Sequence, residues 1–522
     1  MKKIFFLVVM LGIFKVSQAQ ITFQKTYGGT GFDQGNSVQQ TNDGGFIVAG
    51  YTKSFGAGGK DVYLVKTASD GTLEWAKTYG GTGDDSGNYV QQTSDGGFII
   101  AGQTNSFGVL DGVYLVKTAS DGALQWAKTF GGDIGYAVQQ TNDGGFIITG
   151  EAYYLGPGYL DVYLIKTASN GALQWTKTFG GTDGEYGNSV QQSNDGGFII
   201  AGYTGSFGVD GEVYLVKTKS DGSLEWAKTF GGTGAEYGCS VQQTNDGGFI
   251  ISGITWDLTS LNQNADVYIV KTSSDGTLQW TKTFGDTTRD QGYSIQQTND
   301  GGFIIIGFSI SFGFGDPDCY LIKTDSAGNQ LWSKTFVGAS LDIGYSIQQT
   351  NDGGFIITGG PQTAKDDVFL IKTDSNGNSG TVIYCYETAV TSIVGSLGVE
   401  GSTATQTGSG GTEGNPATQT GTGGVETAIC TTDGVHEPEN LNSISLSPNP
   451  FSTETTISVQ NSKFEVQSFI LYDVFGRAVK TLNFEHGAHN FKLERGNLGS
   501  GIYFYKVSGD GNVLGTGKVI VE

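Results

Sequence analysis

The feature that most constrains this chain is a unit repeated seven times along 522 residues. The triplet Val/Ile-Gln-Gln begins at Val38, Val90, Val138, Val190, Val241, Ile295 and Ile347, at intervals of 52, 48, 52, 51, 54 and 52 residues. Asp-Gly-Gly-Phe follows each triplet, starting at Asp43, Asp95, Asp143, Asp195, Asp246, Asp300 and Asp352. A period of this length marks an array whose units bury their apolar faces on one another.

Each unit reads as four short strands. In the first, residues 37–41 lead into Asn42-Asp43-Gly44-Gly45, a tight-turn sequence because Asp-Gly tolerates positive φ. Residues 46–49 are a continuous apolar run, as in a strand buried on both faces. A Gly-rich loop leads to a third strand over 62–67. Asp70-Gly71 makes a second tight turn into a fourth strand over 73–78, with Trp75 at its centre. Four strands per unit and seven units predict an all-β chain with a seven-bladed β-propeller over residues 20–387. The seventh unit lacks an evident fourth strand. Residues 21–26 align with 73–78, putting Phe23 in the Trp75 place. The N-terminal strand is therefore predicted to pair with residues 367–373 and leave no open sheet edge.

The hairpin from Gly71 to Trp75 resembles those of quinoprotein-type propeller repeats. The whole unit resembles the Asp-Gly-Gly-Phe repeats of secreted bacterial propellers over residues 21–380. This resemblance implies a fold and no particular activity.

The two ends of the chain differ from the repeats. Residues 1–19 carry Lys2 and Lys3, a short apolar run from Ile4 to Phe14 and Ser17-Gln18-Ala19, the pattern of a signal peptide. The apolar run is short for a membrane span, and the sequence offers no other candidate span. Residues 388–442 are rich in Thr, Gly, Ser and Glu, with Ala-Thr-Gln-Thr-Gly at 404–408 and again at 417–421. Such a composition buries little apolar surface and reads as a flexible linker. Alternating strands return over 443–522 and predict a small Ig-like β-sandwich. Four cysteines are present. Pairing of Cys385 with Cys430 and four free thiols both fit the spacing.

The C-terminal region carries four motifs in order: Leu446-Ser-Pro-Asn-Pro-Phe451, Leu471-Tyr-Asp-Val-Phe-Gly-Arg477, Gly501-Ile-Tyr-Phe-Tyr505 and Gly517-Lys-Val-Ile-Val521. Together they resemble the type A sorting domain of the type IX secretion system. The resemblance implies a partner in that machinery, export across the outer membrane, removal of the domain, and often attachment of the cargo to surface polysaccharide. The expected location is the medium or the outer cell surface.

Acidic residues number 51 against 29 basic ones, for a net charge of −22. That balance disfavours nucleic acid and anionic lipid as partners. The three histidines, His436, His486 and His489, all lie beyond the repeats. Ser-His-Asp, Cys-His and His-zinc chemistry are thus unavailable within the repeats. Arg289 is the only arginine there, so the arginine cluster of sialidase-type propellers is missing. Gly-rich loops such as Tyr27-Gly-Gly-Thr-Gly31 lack the Gly-Lys-Ser/Thr of a phosphate loop. No cofactor is implied.

Two sets of residues remain as candidate sites. An acid stands five residues before each triplet, at Asp33, Asp85, Asp133, Glu185, Glu236, Asp290 and Asp342, and a glycine follows two residues later. These acids read either as loop locks that accept backbone N–H bonds or as a cation-binding ring. Repetition in every unit favours the lock. The metal, if any, is not identified. The second set is aromatic: Tyr153, Tyr154, Tyr159 and Trp256 break the repeat in loops of variable length, where function concentrates on rigid scaffolds.

The recurring Lys66 and Lys77 read as edge lysines with their heads in solvent. Gln39 and Gln40 read as bonding to their own strand edge and to channel water. Three function classes stand: a binding or adhesion module for a glycan or surface protein, a carboxylate-based polysaccharide hydrolase or lyase, and a structural spacer. The symmetry-breaking aromatics favour binding over catalysis.

Overall fold

The computed structural model describes residues 20–379 apart from 108–111, 154, 157, 257–263, 313–316, 338–341 and 362–366. It also describes seven short strands within 386–428, and residues 443–521 apart from 461–465, 473–476, 489 and 510–511. The signal-peptide segment, Cys385 and Cys430 lie outside the described residues. Cys239 and Cys319 are free thiols. The chain divides into two compact units, Met1–Thr431 and Thr432–Glu522.

The first unit is an all-β, propeller-like repeat fold. In the first repeat, β2 (Asp33–Gln40), β3 (Phe46–Thr52), β4 (Asp61–Thr67) and β5 (Leu73–Gly80) pair antiparallel in sequence order. Six further sheets have the same order among the described residues. In the last of these the fourth place is taken by β1 (Phe23–Gly28), with Phe23 opposite Lys372 and Tyr27 opposite Val368. The N-terminal strand thus completes the seventh sheet, as its alignment with residues 73–78 predicts.

Local chemistry sets the shape of each repeat. Gly44 takes φ +85° in the first turn, where a side chain would be strained. Asn36 bulges out of β2, since Gly35 pairs with Gly50 while Ser37 pairs with Ala49. The bulge drives the Gln34 carbonyl against Gly50, so close that any Cβ there would collide with it. β3 and β4 are buried along almost their whole length, with only Tyr51 half-buried.

Neighbouring repeats are joined by recurring contacts. Trp75 packs on Phe98 of the next repeat with ring centroids 6.0 Å apart, and Phe23 meets Phe46 at the same 6.0 Å. Polar contacts recur with the same regularity. Gln92 N–H donates to Gln39 Oε1 across the joint, and Asn42 N–H donates back to Gln92 Oε1. The pattern runs unbroken to the last joint, where Gln348 accepts from Gln40 N–H and Gln40 accepts from Asn351 N–H. The paired glutamines therefore tie repeat to repeat, rather than serving only their own strand edge.

Lys66 corrects the expectation of a solvated edge lysine. It is 3% exposed and its Nζ lies 3.0 Å from Asp43 Oδ2. The apolar stem crosses the sheet interior, and the ammonium is held by the turn aspartate and the Thr67 carbonyl.

The Thr/Gly-rich stretch expected as a linker also differs from that reading. Strands Tyr386–Ala389, Ile393–Gly395, Val399–Ser402, Gln406–Gly408, Glu413–Gly414, Gln419–Thr422 and Val425–Ala428 each add a fifth strand to one sheet. They pair antiparallel with the outer strands of repeats six, five, four, three, two and one in turn, and lastly with β1. Strand addition draws on backbone hydrogen bonds, so it does not need the apolar side chains this stretch lacks.

In the second unit, strands 443–447, 454–460 and 490–494 form one sheet, and 466–472, 478–488, 501–509 and 512–521 form another. Ile457 and Leu493 of the first sheet share a core with Phe469, Leu471, Val507 and Val519 of the second.

Candidate functional site

The seven acids sit at or beside the start of the first strand of each repeat, and five of them accept from the loop before it. Asp33 Oδ2 accepts from Gly29 N–H at 2.9 Å and from Ser54 Oγ at 2.6 Å. Asp85 accepts from Gly81 N–H at 2.8 Å, Glu185 from Gly181 N–H at 2.9 Å, Glu236 from Gly232 N–H at 3.0 Å and Asp290 from Asp286 N–H at 3.0 Å. These five are buried, while Asp133 and Asp342 are half-buried.

A second carboxyl stands beside five of these acids. A Cβ on Gly28 would collide with both Asp33 and Asp367. Gly80 stands likewise between Asp61 and Asp85, Gly180 between Asp161 and Glu185, Gly231 between Glu212 and Glu236, and Gly285 between Asp266 and Asp290. The second acid comes from the start of the preceding repeat's third strand. Burial pushes Asp161 up to about 6, reinforced by the charge of Glu185. Burial pushes Glu236 up to about 7, reinforced by Glu212. Such pairs hold a proton more readily than single carboxyls do. Among the described residues, no group of three or more His, Cys, Asp or Glu side chains is arranged to hold a metal ion.

The symmetry breaks between repeats two and three. Gly112 replaces the acid that opens the third strand of other repeats, and Glu151 takes the place of Tyr51. Tyr136 occupies the bulge position of Asn36, and its hydroxyl donates to Glu151 Oε2 at 3.1 Å. Burial raises the Glu151 carboxyl, and the nearby charge of Asp133 adds to it.

Aromatic rings extend from this point through repeats four and five. Tyr186 stacks on Tyr203 with centroids 5.4 Å apart, and Tyr203 stacks on Tyr237 at 4.4 Å with planes inclined by 11°. All three rings are half-buried, leaving part of each to solvent. Burial pushes the Tyr203 hydroxyl up to about 12, helped by its two tyrosine neighbours. The Glu151 charge acts on the hydroxyls of Tyr136, Tyr153 and Tyr186 alike, placing it among them.

The aromatic candidates fare differently from one another. Tyr153 and Tyr159 meet edge to face at 5.0 Å and are exposed by 39% and 52%. Tyr154 lies outside the described residues. Trp256 belongs to repeat five, where the Arg289 guanidinium covers its ring at 5.4 Å. It is therefore engaged within the fold. Tyr136, Tyr186, Tyr203 and Tyr237 escaped sequence reasoning because they lie within regular strands, where aromatics read as core.

In the C-terminal unit the four motifs converge in pairs. Asn449 Oδ1 accepts from Ile520 N–H at 2.8 Å, and Phe451 N–H donates to the Ile520 carbonyl at 3.0 Å. Leu471 pairs with Tyr505 and Tyr472 with Phe504 in adjacent strands. The opening motif thus binds the closing one, and the two middle motifs lie side by side.

Residues 445–522 match the model of the secretion system C-terminal sorting domain. That domain marks the protein as one secreted by the type IX system, to the cell surface or beyond. No curated protein matches the chain. Among solved structures, Sqt1 from Chaetomium thermophilum is similar at 9% identity with a TM-score of 0.36, over 68% of this chain and 99% of that one. No helix among the described residues is long and apolar enough to cross a membrane.

Proposed function

We propose that this chain is a seven-bladed β-propeller, displayed outside the cell, that binds a glycan through the tyrosine and carboxyl patch of repeats three to five. Residues 1–19 act as its signal peptide. Residues 443–522 form an Ig-like sandwich that the type IX machinery reads. The acids from Asp33 to Asp342 act as loop locks, each tying the entry of a first strand to its own loop.

One observation carries the binding reading: the stack of Tyr186, Tyr203 and Tyr237 beside the Tyr136–Glu151 hydrogen bond. Part-exposed aromatic faces suit the apolar faces of sugar rings, and carboxylates accept from sugar hydroxyls. The patch also breaks the sevenfold repetition, as a binding site must if it is to hold an unsymmetrical ligand. A glycan array probed with the protein lacking its signal peptide tests the proposal. Binding to a defined set of glycans is expected, and an array without signal would overturn it.

A hydrolase reading draws on one feature, the raised Glu151 beside Asp133. Release of shortened products from an array-positive polysaccharide would select it, and intact polysaccharide after prolonged incubation would reject it.

A further inference from the structure

A second site lies away from the tyrosine patch. The first strands of all seven repeats enclose a cavity of about 180 Å³, lined by the first glutamine of every pair, from Gln39 round to Gln348. That space equals about six water molecules. Valine and isoleucine from six of the seven triplets, the Tyr89 ring and four serines complete the wall.

The orientation of these amides is fixed by their partners. Each Oε1 accepts a backbone N–H from the next repeat at 2.5–2.6 Å. A backbone N–H only donates, so the atom facing it must be the oxygen. The nitrogen of each amide is then the atom left for the cavity. Among the described residues these seven Nε2 groups make no hydrogen bond within the protein. By contrast, the second glutamine of each pair spends its Nε2 on its own turn, as Gln40 does on the Gly44 carbonyl at 3.2 Å.

Serines one turn of the pleat away add to this. Ser189 Oγ accepts from Val241 N–H at 3.1 Å, and Ser346 Oγ accepts from Val38 N–H at 3.1 Å. A hydroxyl that accepts in this way keeps its own proton to give. The ring therefore presents an amide donor from every repeat. The carboxyl-bearing ends of the same strands lie six residues away, or about 20 Å along an extended strand.

We propose that this ring binds a small oxyanion, the sulfate, phosphate or carboxylate group of a ligand entering the cavity. Seven converging amide donors favour a charged acceptor, because hydrogen bonds to charged groups are stronger than those between neutral ones.

Calorimetry on the protein lacking its signal peptide tests this, with inorganic sulfate, inorganic phosphate and acetate as probes and chloride at matched ionic strength as the control. Gln191→Glu and Gln296→Glu, made separately, keep an oxygen for the backbone N–H, remove the amide donors and add a negative charge. At least one oxyanion should bind the unmodified chain, and each substitution should weaken it about tenfold or more, the loss of one charge-assisted bond. The preferred probe identifies the oxyanion. No heat with any of the three probes would overturn the proposal, and so would equal affinity in the unmodified chain and either folded variant. If one variant fails to fold, the other decides. If neither folds, displacement of the preferred oxyanion by a bulkier ester of the same group decides: undiminished ester binding overturns a site inside the cavity, and exclusion of the ester supports it.

Discussion

Asp43 Oδ2 lies 3.0 Å from Lys66 Nζ, and the same aspartate–lysine pair recurs in every repeat, through Asp352 and Lys372 at 3.0 Å. The aspartate does three things at once: Oδ1 accepts from Gly45 N–H at 2.9 Å and from the Thr41 hydroxyl, while Oδ2 neutralises the buried ammonium. The Asp-Gly-Gly-Phe signature is thus a turn and a counter-ion in one.

Removing either partner should have unequal effects. Asp43→Ala leaves the buried ammonium with only the Thr67 carbonyl and Glu74 at 3.2 Å, and leaves the turn unpaired, so it should cost about 2–3 kcal/mol. Lys66→Met keeps the packing and frees an aspartate that is already half exposed, so about 1 kcal/mol or less is expected. Urea denaturation of the two variants measures both. Equal losses would show that the ion pair, rather than the buried charge, carries the energy.

Stability should peak in mildly acidic solution. Burial works to raise Asp95, Asp143 and Asp246, but hydrogen bonds from the turn threonines, the paired lysines and the glycine amides overcome it and hold them at about 2. Folded values below the unfolded one of about 4 give stability that is present above that pH and lost as it falls toward 2. Asp161 and Glu236 act in the opposite sense, since their folded values of about 6 and about 7 lie above the unfolded ones. Their contribution is complete below about pH 4 and lost as pH rises through 6 and 7. Urea midpoints measured across this range should pass through a maximum between about pH 4 and 5. A midpoint still rising toward pH 8 would mean that the carboxyl pairs do not hold their protons.

Ring closure rests on Phe23, which is 8% exposed and packs on Phe46 as Trp75 packs on Phe98. Phe23→Ala should cost about 3 kcal/mol, the usual figure for a buried ring. Thermal melting reads this directly. A loss as small as that of Ile21→Ala, whose side chain is 48% exposed, would place the closing contact elsewhere.

Deleting residues 386–428 should leave the seven four-stranded sheets folded and expose seven strand edges. Open edges recruit other chains, so light scattering on warming should begin at a lower temperature than in the intact protein. Unchanged scattering would show that the added strands are dispensable to solubility.

Much of the fold was legible because its signals are local. Asp43-Gly44 announces a turn, Phe46 to Ala49 a buried strand, and Phe23 in the Trp75 place the closing strand. Lys66 was misread because sequence alone does not show that the Asp43 turn folds back over it. The strands from Tyr386 to Ala428 were hidden since backbone pairing leaves little trace in composition. The tyrosine patch was hidden for a different reason: Tyr136, Tyr186 and Tyr237 lie about fifty residues apart and meet only when the repeats stack. Their departure from the repeat consensus was the signal available, at positions that are Gln or Asn in the first repeat.

If the stacked tyrosines hold a glycan, the affinity of the strongest array ligand for the unmodified chain and for Tyr203→Ala, with melting temperatures alongside, reads it directly. Tyr203 sits in the middle of the stack, so its loss should weaken binding about tenfold or more, as for a contact that anchors an interface. Melting should move by only a few degrees, since the ring is half-buried near the end of its strand. Unchanged affinity with a large fall in melting temperature would contradict this and make the stack a packing feature of the repeats.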